Sequence, residues 1–239
     1  MKGGLAAPLS TILLLNFSGP LSRYAEAQIT IAAAADLAPL EKPLAQAFGP
    51  LRFTLGASGM LAHQIENGAP YDVFLSADEK LVSSLSASGR LLPDSVRVYA
   101  FGRLALWSRD GSIQRLEDLK GERVKQVAIA NPAHAPYGVA ALEVLKKQGV
   151  WDALQPHVVF GENVRQAVQF AESGNADAVI SAWTLLKDRG GILLPDSWHS
   201  PIRQAGGIVK GTKNLEQARR FMDFLTGAQG RALLARYGL

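Results

Sequence analysis

The residues of this chain best suited to chemistry form a short turn, Gly56-Ala57-Ser58-Gly59, between a strand-like run and a helix-like run. A small-residue turn that opens a helix leaves backbone N–H groups without carbonyl partners, and the helix dipole favours an anion at the same place. Ser58 adds a hydroxyl donor beside these amides. Taken alone, the turn is more simply explained by a serine N-cap. The other loops decide between the two interpretations.

Three further loops have the same character: residues 32–37, 131–138 and 161–165. Each follows a strand-like run and leads into a helix-like run. In open α/β sheets, ligands bind beyond the carboxyl ends of the strands, where such loops lie. Neutral donors that converge from several helix starts can hold an anion through charge-assisted hydrogen bonds. Together the four loops predict a site for a small oxyanion.

Alternating strand-like and helix-like runs predict an α/β fold. Two such cycles are separated by extended stretches at residues 96–107 and 201–210. This pattern predicts two lobes, each a mixed, mostly parallel sheet flanked by helices, joined by a two-strand hinge. We assign residues 28–101 plus 206–239 to lobe I and residues 102–205 to lobe II. A hinge of this kind permits the lobes to close on a ligand.

The composition narrows the functional classes. The 239 residues are 48% hydrophobic with a scattered net charge of +4, and no basic run is interleaved with aromatics, so no nucleic-acid partner is expected. The chain has no cysteine, which excludes disulfides and a cysteine-linked lipid anchor. The histidines show no metal-ligand spacing, so neither a metal-cation site nor a cofactor is expected.

Residues 1–27 are typical of a secretory signal peptide. Lys2 precedes an apolar run at residues 5–17, and Ala25-Glu26-Ala27 has the form of a cleavage site. The apolar run is short for a membrane span. We therefore expect a periplasmic protein that begins at Gln28 and has no membrane insertion after signal removal.

Several blocks, taken in order, resemble the periplasmic molybdate-binding proteins of ABC importers. They are Ala33-Ala34-Ala35-x-Leu37, Gly56-Ala57-Ser58-Gly59-x-Leu61-Ala62-x-Gln64-Ile65-Glu66-x-Gly68-Ala69-Pro70, Asp72-Val73-Phe74-x-Ser76-Ala77-Asp78, Pro132-x-His134-x-Pro136-x-Gly138, Glu162-Asn163-Val164-Arg165-Gln166-Ala167 and Arg236-Tyr237-Gly238. The resemblance covers residues 28–239. It implies a two-lobed type II periplasmic-binding-protein fold, reversible capture of molybdate or tungstate without catalysis, and delivery by a monomer to a membrane permease.

The resemblance also implies roles for individual residues. Ser58 matches the ligand serine of the second loop, and Tyr137 and Val164 match positions that donate backbone N–H groups. Weaker candidates are Ala35 in the first loop, Ser181 and Ala182. The tyrosine that donates its hydroxyl in this family has no counterpart here, and Ala182 falls near its place.

Asp36 replaces the first-loop serine of the family. A carboxylate about 4 Å from another negative charge costs roughly 4 kcal/mol at an intermediate dielectric, so Asp36 opposes a bare dianion. The favoured expectation is that Asp36 turns back and caps its own helix. Alternatively, burial protonates the carboxyl, or the ligand carries a proton that Asp36 accepts, as hydrogen phosphate would.

A serine hydrolase that uses Ser58 is the remaining alternative. The turn departs from the Gly-x-Ser-x-Gly pattern because Met60 stands at its last position, and no clear base follows in the sequence.

Overall fold

The computed structural model describes Met1 and residues 28–239, so the predicted signal peptide lies, apart from Met1, outside the described residues. The strands are β1 (Ile29–Ala34), β2 (Leu51–Gly56), β3 (Val73–Ser76), β4 (Arg97–Gly102), β5 (Leu104–Trp107), β6 (Val127–Ala130), β7 (Val158–Gly161), β8 (Ala178–Ala182), β9 (Ile192–Leu193) and β10 (Ile202–Ile208). The α-helices are α1 (Glu41–Phe48), α2 (Ser58–Glu66), α3 (Glu79–Ala87), α4 (Pro136–Lys147), α5 (Trp151–Leu154), α6 (Val164–Ser173), α7 (Trp183–Leu186), α8 (Leu215–Thr226) and α9 (Ala228–Arg236).

The strands form two five-stranded mixed sheets, in the orders β2-β1-β3-β10-β4 and β7-β6-β8-β5-β9. In the first sheet β1 lies parallel to β2 and β3, and β10 runs antiparallel to β3 and β4. The second sheet repeats this plan, with β6 parallel to β7 and β8 and with β5 antiparallel to β8 and β9. The predicted two-lobed α/β fold is therefore confirmed.

The chain passes between the sheets twice. It leaves the first sheet after Gly102, a residue that the sequence assignment put in lobe II, and enters the second at Leu104. It returns between Leu193 and Ile202. Residues 202–205, which the sequence assignment put in lobe II, lie in β10 and pair with the first sheet. An uninterrupted β-like run does not indicate the residue at which the chain passes from one sheet to the other. The assignment of residues to the two lobes remains a prediction.

Apolar layers cover both faces of the first sheet. Side chains of α1, α8 and α9 pack on one face around Phe221, and side chains of α2 and α3 pack on the other around Phe74. The second sheet has its own core, which four alanines of the first lobe join: Ala34, Ala35, Ala57 and Ala77. Small residues at these loops therefore let the two lobes approach each other closely.

The first predicted helix, residues 37–48, is divided in the structure. A 3-10 helix at Ala35–Leu40 precedes α1, and Pro39 lies inside it. Proline lacks the N–H that a regular α-helix requires, which explains the tighter first turn.

None of the helices in residues 28–239 combines the length and apolar character needed to cross a bilayer. In the same part of the chain, no three His, Asp or Glu side chains are grouped as metal ligands would be.

The start of α4 packs tightly against the end of β6, and this contact depends on Gly138. A Cβ on Gly138 would lie 2.1 Å from the Ala130 carbonyl oxygen, a backbone atom that cannot rotate away. We expect Gly138→Ala to lower the free energy of unfolding by about 1–3 kcal/mol, measured by urea denaturation. Val139→Ala, exposed on the same turn, is the control and should change stability by about 0.5 kcal/mol or less. Equal stability of the two variants would contradict the prediction.

Candidate functional site

Four helix starts surround one small cavity between the lobes. The first lobe contributes the 3-10 helix after β1 and the start of α2, and the second contributes the starts of α4 and α6. The lining residues are Ala34, Ala35, Asp36, Gly56, Ala57, Ser58, Ala77, Ala135, Pro136, Tyr137, Asn163 and Val164. The structure thus brings together Asp36, Ser58, Tyr137, Val164 and Ala35, all of which the sequence singled out.

Ser58 is buried at the first position of α2, with Ala57 as the N-cap residue. Its Oγ accepts a hydrogen bond of 2.9 Å from the Ala77 N–H, which fixes the hydroxyl at the cavity. A serine hydroxyl that accepts in this way still has its own hydrogen to donate. The Ser58 N–H is one of the first-turn amides that have no carbonyl partner within the helix.

The second lobe supplies amides of the same kind. Tyr137 follows Pro136 in the first turn of α4, and Val164 is the first residue of α6. The side chain of Asn163 caps α6 by accepting from the N–H groups of Arg165 and Gln166, at 3.0 and 3.2 Å. This cap satisfies the next amides of the helix but not that of Val164, whose N–H therefore has no helical partner.

The side chain of Asp36 is completely buried and is held by side chains of α4 in the other lobe and of β10 in its own sheet. Its Oδ2 accepts a 3.0 Å hydrogen bond from the Tyr137 hydroxyl and a 2.5 Å hydrogen bond from the Gln204 amide. The same amide donates to the Tyr137 oxygen at 2.9 Å. The backbone carbonyl of Asp36 accepts from the Thr184 hydroxyl at 2.7 Å. Asp36 thus links the end of β1 to α4, α7 and β10.

The expectation that Asp36 caps its own helix is wrong. The N-cap residue of the 3-10 helix is Ala34, and no side chain caps this helix start. The donors of Tyr137 and Gln204 hold the carboxyl instead, because both are buried beside it.

The electrostatics of the cavity are unusual for an anion site. Among the described residues that line it, none is Lys, Arg or His, and Asp36 is the single carboxyl. Burial raises the pKa of Asp36 to about 6 from an ordinary 3.8, although the hydrogen bonds from Gln204 and Tyr137 act in the opposite direction. Burial and the nearby Asp36 also raise the pKa of Tyr99 and Tyr137, so both hydroxyls keep their hydrogens.

The two weaker candidates from β8 do not line the cavity. Ser181 donates its hydroxyl to the Val164 carbonyl at 3.1 Å and so positions the start of α6. Ala182 is the N-cap residue of α7 and is fully buried. One tyrosine of the second lobe, Tyr137, does place its hydroxyl near the site. That hydroxyl donates its hydrogen bond to Asp36.

Sequence reasoning missed Gln204, Thr184 and the Ala77 amide. Gln204 carried one signal: in an extended run it shares a face with the apolar Ile202, so it is a candidate buried polar group. Thr184 and Ala77 carried none, because their contacts depend on how the two lobes meet.

A backbone hydrogen bond joins the lobes directly at the cavity. The Gly59 N–H donates to the His134 carbonyl at 2.9 Å. A Cβ on Gly59 would lie 3.0 Å from that oxygen, so glycine permits the close approach of the second and third loops.

Residues 29–239 match the family model of the bacterial extracellular solute-binding proteins. The chain belongs to this family. Two similar relatives of this solute-binding protein are named molybdate-binding protein ModA. The one from Rhodobacter capsulatus is 37% identical over 193 residues, which cover 78% of this chain and 75% of the relative. The one from Azotobacter vinelandii is 32% identical over 244 residues, which cover 96% and 97%.

A solved structure agrees with these relatives. The periplasmic molybdate-binding protein of Azotobacter vinelandii superposes on this solute-binding protein with a TM-score of 0.82 at 32% sequence identity. The match covers 88% of this chain and 97% of that structure.

The buried Asp36 predicts a pH dependence of stability without any ligand. A folded-state pKa of about 6 against an ordinary 3.8 means that the folded protein holds this proton more tightly than the unfolded chain does. The resulting stability is fully present below about pH 4 and is lost as the pH rises through about 6. We expect the free energy of unfolding of the wild type to fall by about 3 kcal/mol relative to Asp36→Asn over this range.

Urea denaturation at a series of pH values measures this difference. Asp152→Asn, an exposed site on α5, is the matched control and should follow the wild type. Parallel curves for the wild type and Asp36→Asn would refute the prediction.

Proposed function

We propose that this protein is the periplasmic solute-binding component of an ABC importer and that it captures molybdate or tungstate for a membrane permease. One observation carries the proposal: the Ser58 hydroxyl and the free helix-start amides of both lobes converge on one buried cavity. The names and the structure of the similar proteins support the choice of ligand.

The proposed ligand set is Ser58, through its hydroxyl and N–H, with the N–H groups of Tyr137 and Val164. Ala35 and Asp36 line the same cavity from the first loop. Neutral donors of this kind bind an oxyanion by hydrogen bonds directed at its oxygens and supply no full positive charge. They come from both lobes, so separation of the lobes divides the set and releases the ion. Neither a cofactor nor a second copy of the chain enters this scheme.

A binder of phosphate or another protonated oxyanion is the second candidate. It is favoured by one observation, the presence of Asp36 in the cavity lining, because an ionised carboxylate could accept the proton of hydrogen phosphate. Hydrolysis by Ser58 has no such support. The hydrogen-bond partner of its Oγ among the described residues is the Ala77 amide, not a base.

Thermal unfolding with molybdate, tungstate, sulfate and phosphate distinguishes the ligands, because a ligand that binds the folded state raises the melting temperature. We expect molybdate and tungstate to raise it and sulfate and phosphate to have little effect. A response to phosphate alone would favour the second candidate, and no response to molybdate or tungstate would refute the proposal.

The role of Ser58 is tested by Ser58→Ala. Loss of a donor to a charged group should weaken molybdate binding by about 1–3 kcal/mol, measured by calorimetry. Ser83→Ala, an exposed serine on α3, serves as the control and should bind as the wild type does. Urea denaturation of both variants separates a binding effect from the loss of the Ala77 contact. Unchanged affinity of Ser58→Ala would remove Ser58 from the ligand set.

A further inference from the structure

The two carboxyl oxygens of Asp36 have unequal surroundings. Oδ2 accepts hydrogen bonds from both Tyr137 and Gln204, whereas Oδ1 is buried and has no hydrogen-bond partner among the described residues. A buried carboxylate oxygen without a donor is costly, since it has lost water and gained nothing in exchange. A protonated carboxyl oxygen requires a hydrogen-bond acceptor instead of a donor.

The side-chain donors around Asp36 are fully used. Tyr137 has a single hydroxyl hydrogen, which it gives to Oδ2. The Gln204 amide has two hydrogens, and these go to Oδ2 and to the Tyr137 oxygen. Gln204 Oε1 is itself a buried acceptor without a donor. These side chains therefore have acceptor atoms without donors and no further hydrogen to donate, so the cluster can take one additional proton.

Within residues 28–239, no neighbouring side chain brings a full positive charge to Asp36. The titratable groups that face it are Tyr137 from α4 and Tyr99 from β4, and both are neutral. β10 contributes the Gln204 amide, and α7 contributes the Thr184 hydroxyl to the backbone carbonyl. No cation among the described residues acts on the carboxyl. The pKa of Asp36, which burial raises to about 6, agrees with this arrangement.

We propose that Asp36 is a further ligand-binding residue of the site and acts as an acid: in the complex its Oδ1 carries a proton and donates it in a hydrogen bond to an oxygen of the bound oxyanion. A fully deprotonated dianion is then captured together with one proton taken from solvent. This inference rests on the proposed function. A protonated Asp36 would not repel the anion and would donate a hydrogen bond to it. The first loop would then contribute a donor beside those of Ser58, Tyr137 and Val164.

The proposal makes affinity depend on pH in a defined direction. If the protonated form binds, affinity is constant below the pKa of the free carboxyl and falls about tenfold per pH unit above it. A site of neutral donors alone would bind a dianion equally well over this range.

Calorimetry of molybdate binding at about pH 8, in two buffers of different ionisation enthalpy, counts the protons. We expect the wild type to take up about one proton per molybdate. The affinity series should cover about pH 5 to pH 9, so that both limbs of the profile are seen.

Asp36→Asn is the decisive variant. The asparagine side chain has one oxygen, which can accept from Tyr137 and Gln204, and one NH2 group, which can donate. It therefore reproduces the hydrogen-bonding arrangement proposed for the protonated acid. We expect this variant to bind molybdate with no proton uptake and with an affinity that does not change with pH. The matched control Asp152→Asn, on the exposed surface of α5, should take up one proton as the wild type does.

Tyr137→Phe gives an independent readout, because it keeps the backbone N–H and removes one donor from Asp36. The loss of that hydrogen bond disfavours the carboxylate, so the pH at which affinity begins to fall should move upward.

The outcomes separate the two proposals. Molybdate binding by the wild type without proton uptake, at an affinity independent of pH, would overturn the role of Asp36 and leave the proposed function intact. Proton uptake that persists in Asp36→Asn would also overturn it. Binding of phosphate in the absence of any molybdate or tungstate binding would instead refute the proposed function.

Discussion

A buried carboxyl that joins the two lobes is the constraint on which the rest of this structure depends. Asp36 stands at the end of β1, and its donors come from α4 and β10. A buried polar group must keep its hydrogen bonds, because nothing else replaces the water it has lost. The relative position of the lobes is therefore tied to the site: separation of α4 from β1 would remove the Tyr137 hydroxyl from Asp36.

The same constraint explains small residues at several distant positions. Gly102 ends β4 at the first passage between the sheets, and a Cβ there would lie 2.3 Å from the Tyr137 hydroxyl oxygen. The alanines that end β1 and precede α2 belong to the core of the second sheet. Larger side chains at these places would separate the lobes and with them the helix starts around the cavity. Packing and polar contacts thus specify the same arrangement.

A cavity lined by amides and a hydroxyl, without Lys, Arg or His among its described residues, suits reversible binding. Each donor is fixed by a backbone or by a buried contact, as the Ala77 amide fixes Ser58 and the Ser181 hydroxyl fixes Val164. Such preorganised groups need little rearrangement to meet an oxyanion. They come from two separate sheets, so the arrangement of the donors depends on how the two lobes meet.

The sequence by itself determined the α/β alternation, the two extended stretches between the sheets and the loops with Ser58, Tyr137 and Val164 that lead into helices. These features are local, since periodicity, small-residue turns and strand-to-helix loops depend on residues that follow one another in the chain. Only the tertiary structure decided what Asp36 does. Its partners Tyr137 and Gln204 stand 101 and 168 residues away in the chain, and no local pattern links residues at that separation. The same holds for the point at which β10 returns to the first sheet, because strand pairing, not the run of β-like residues, fixes where the chain crosses.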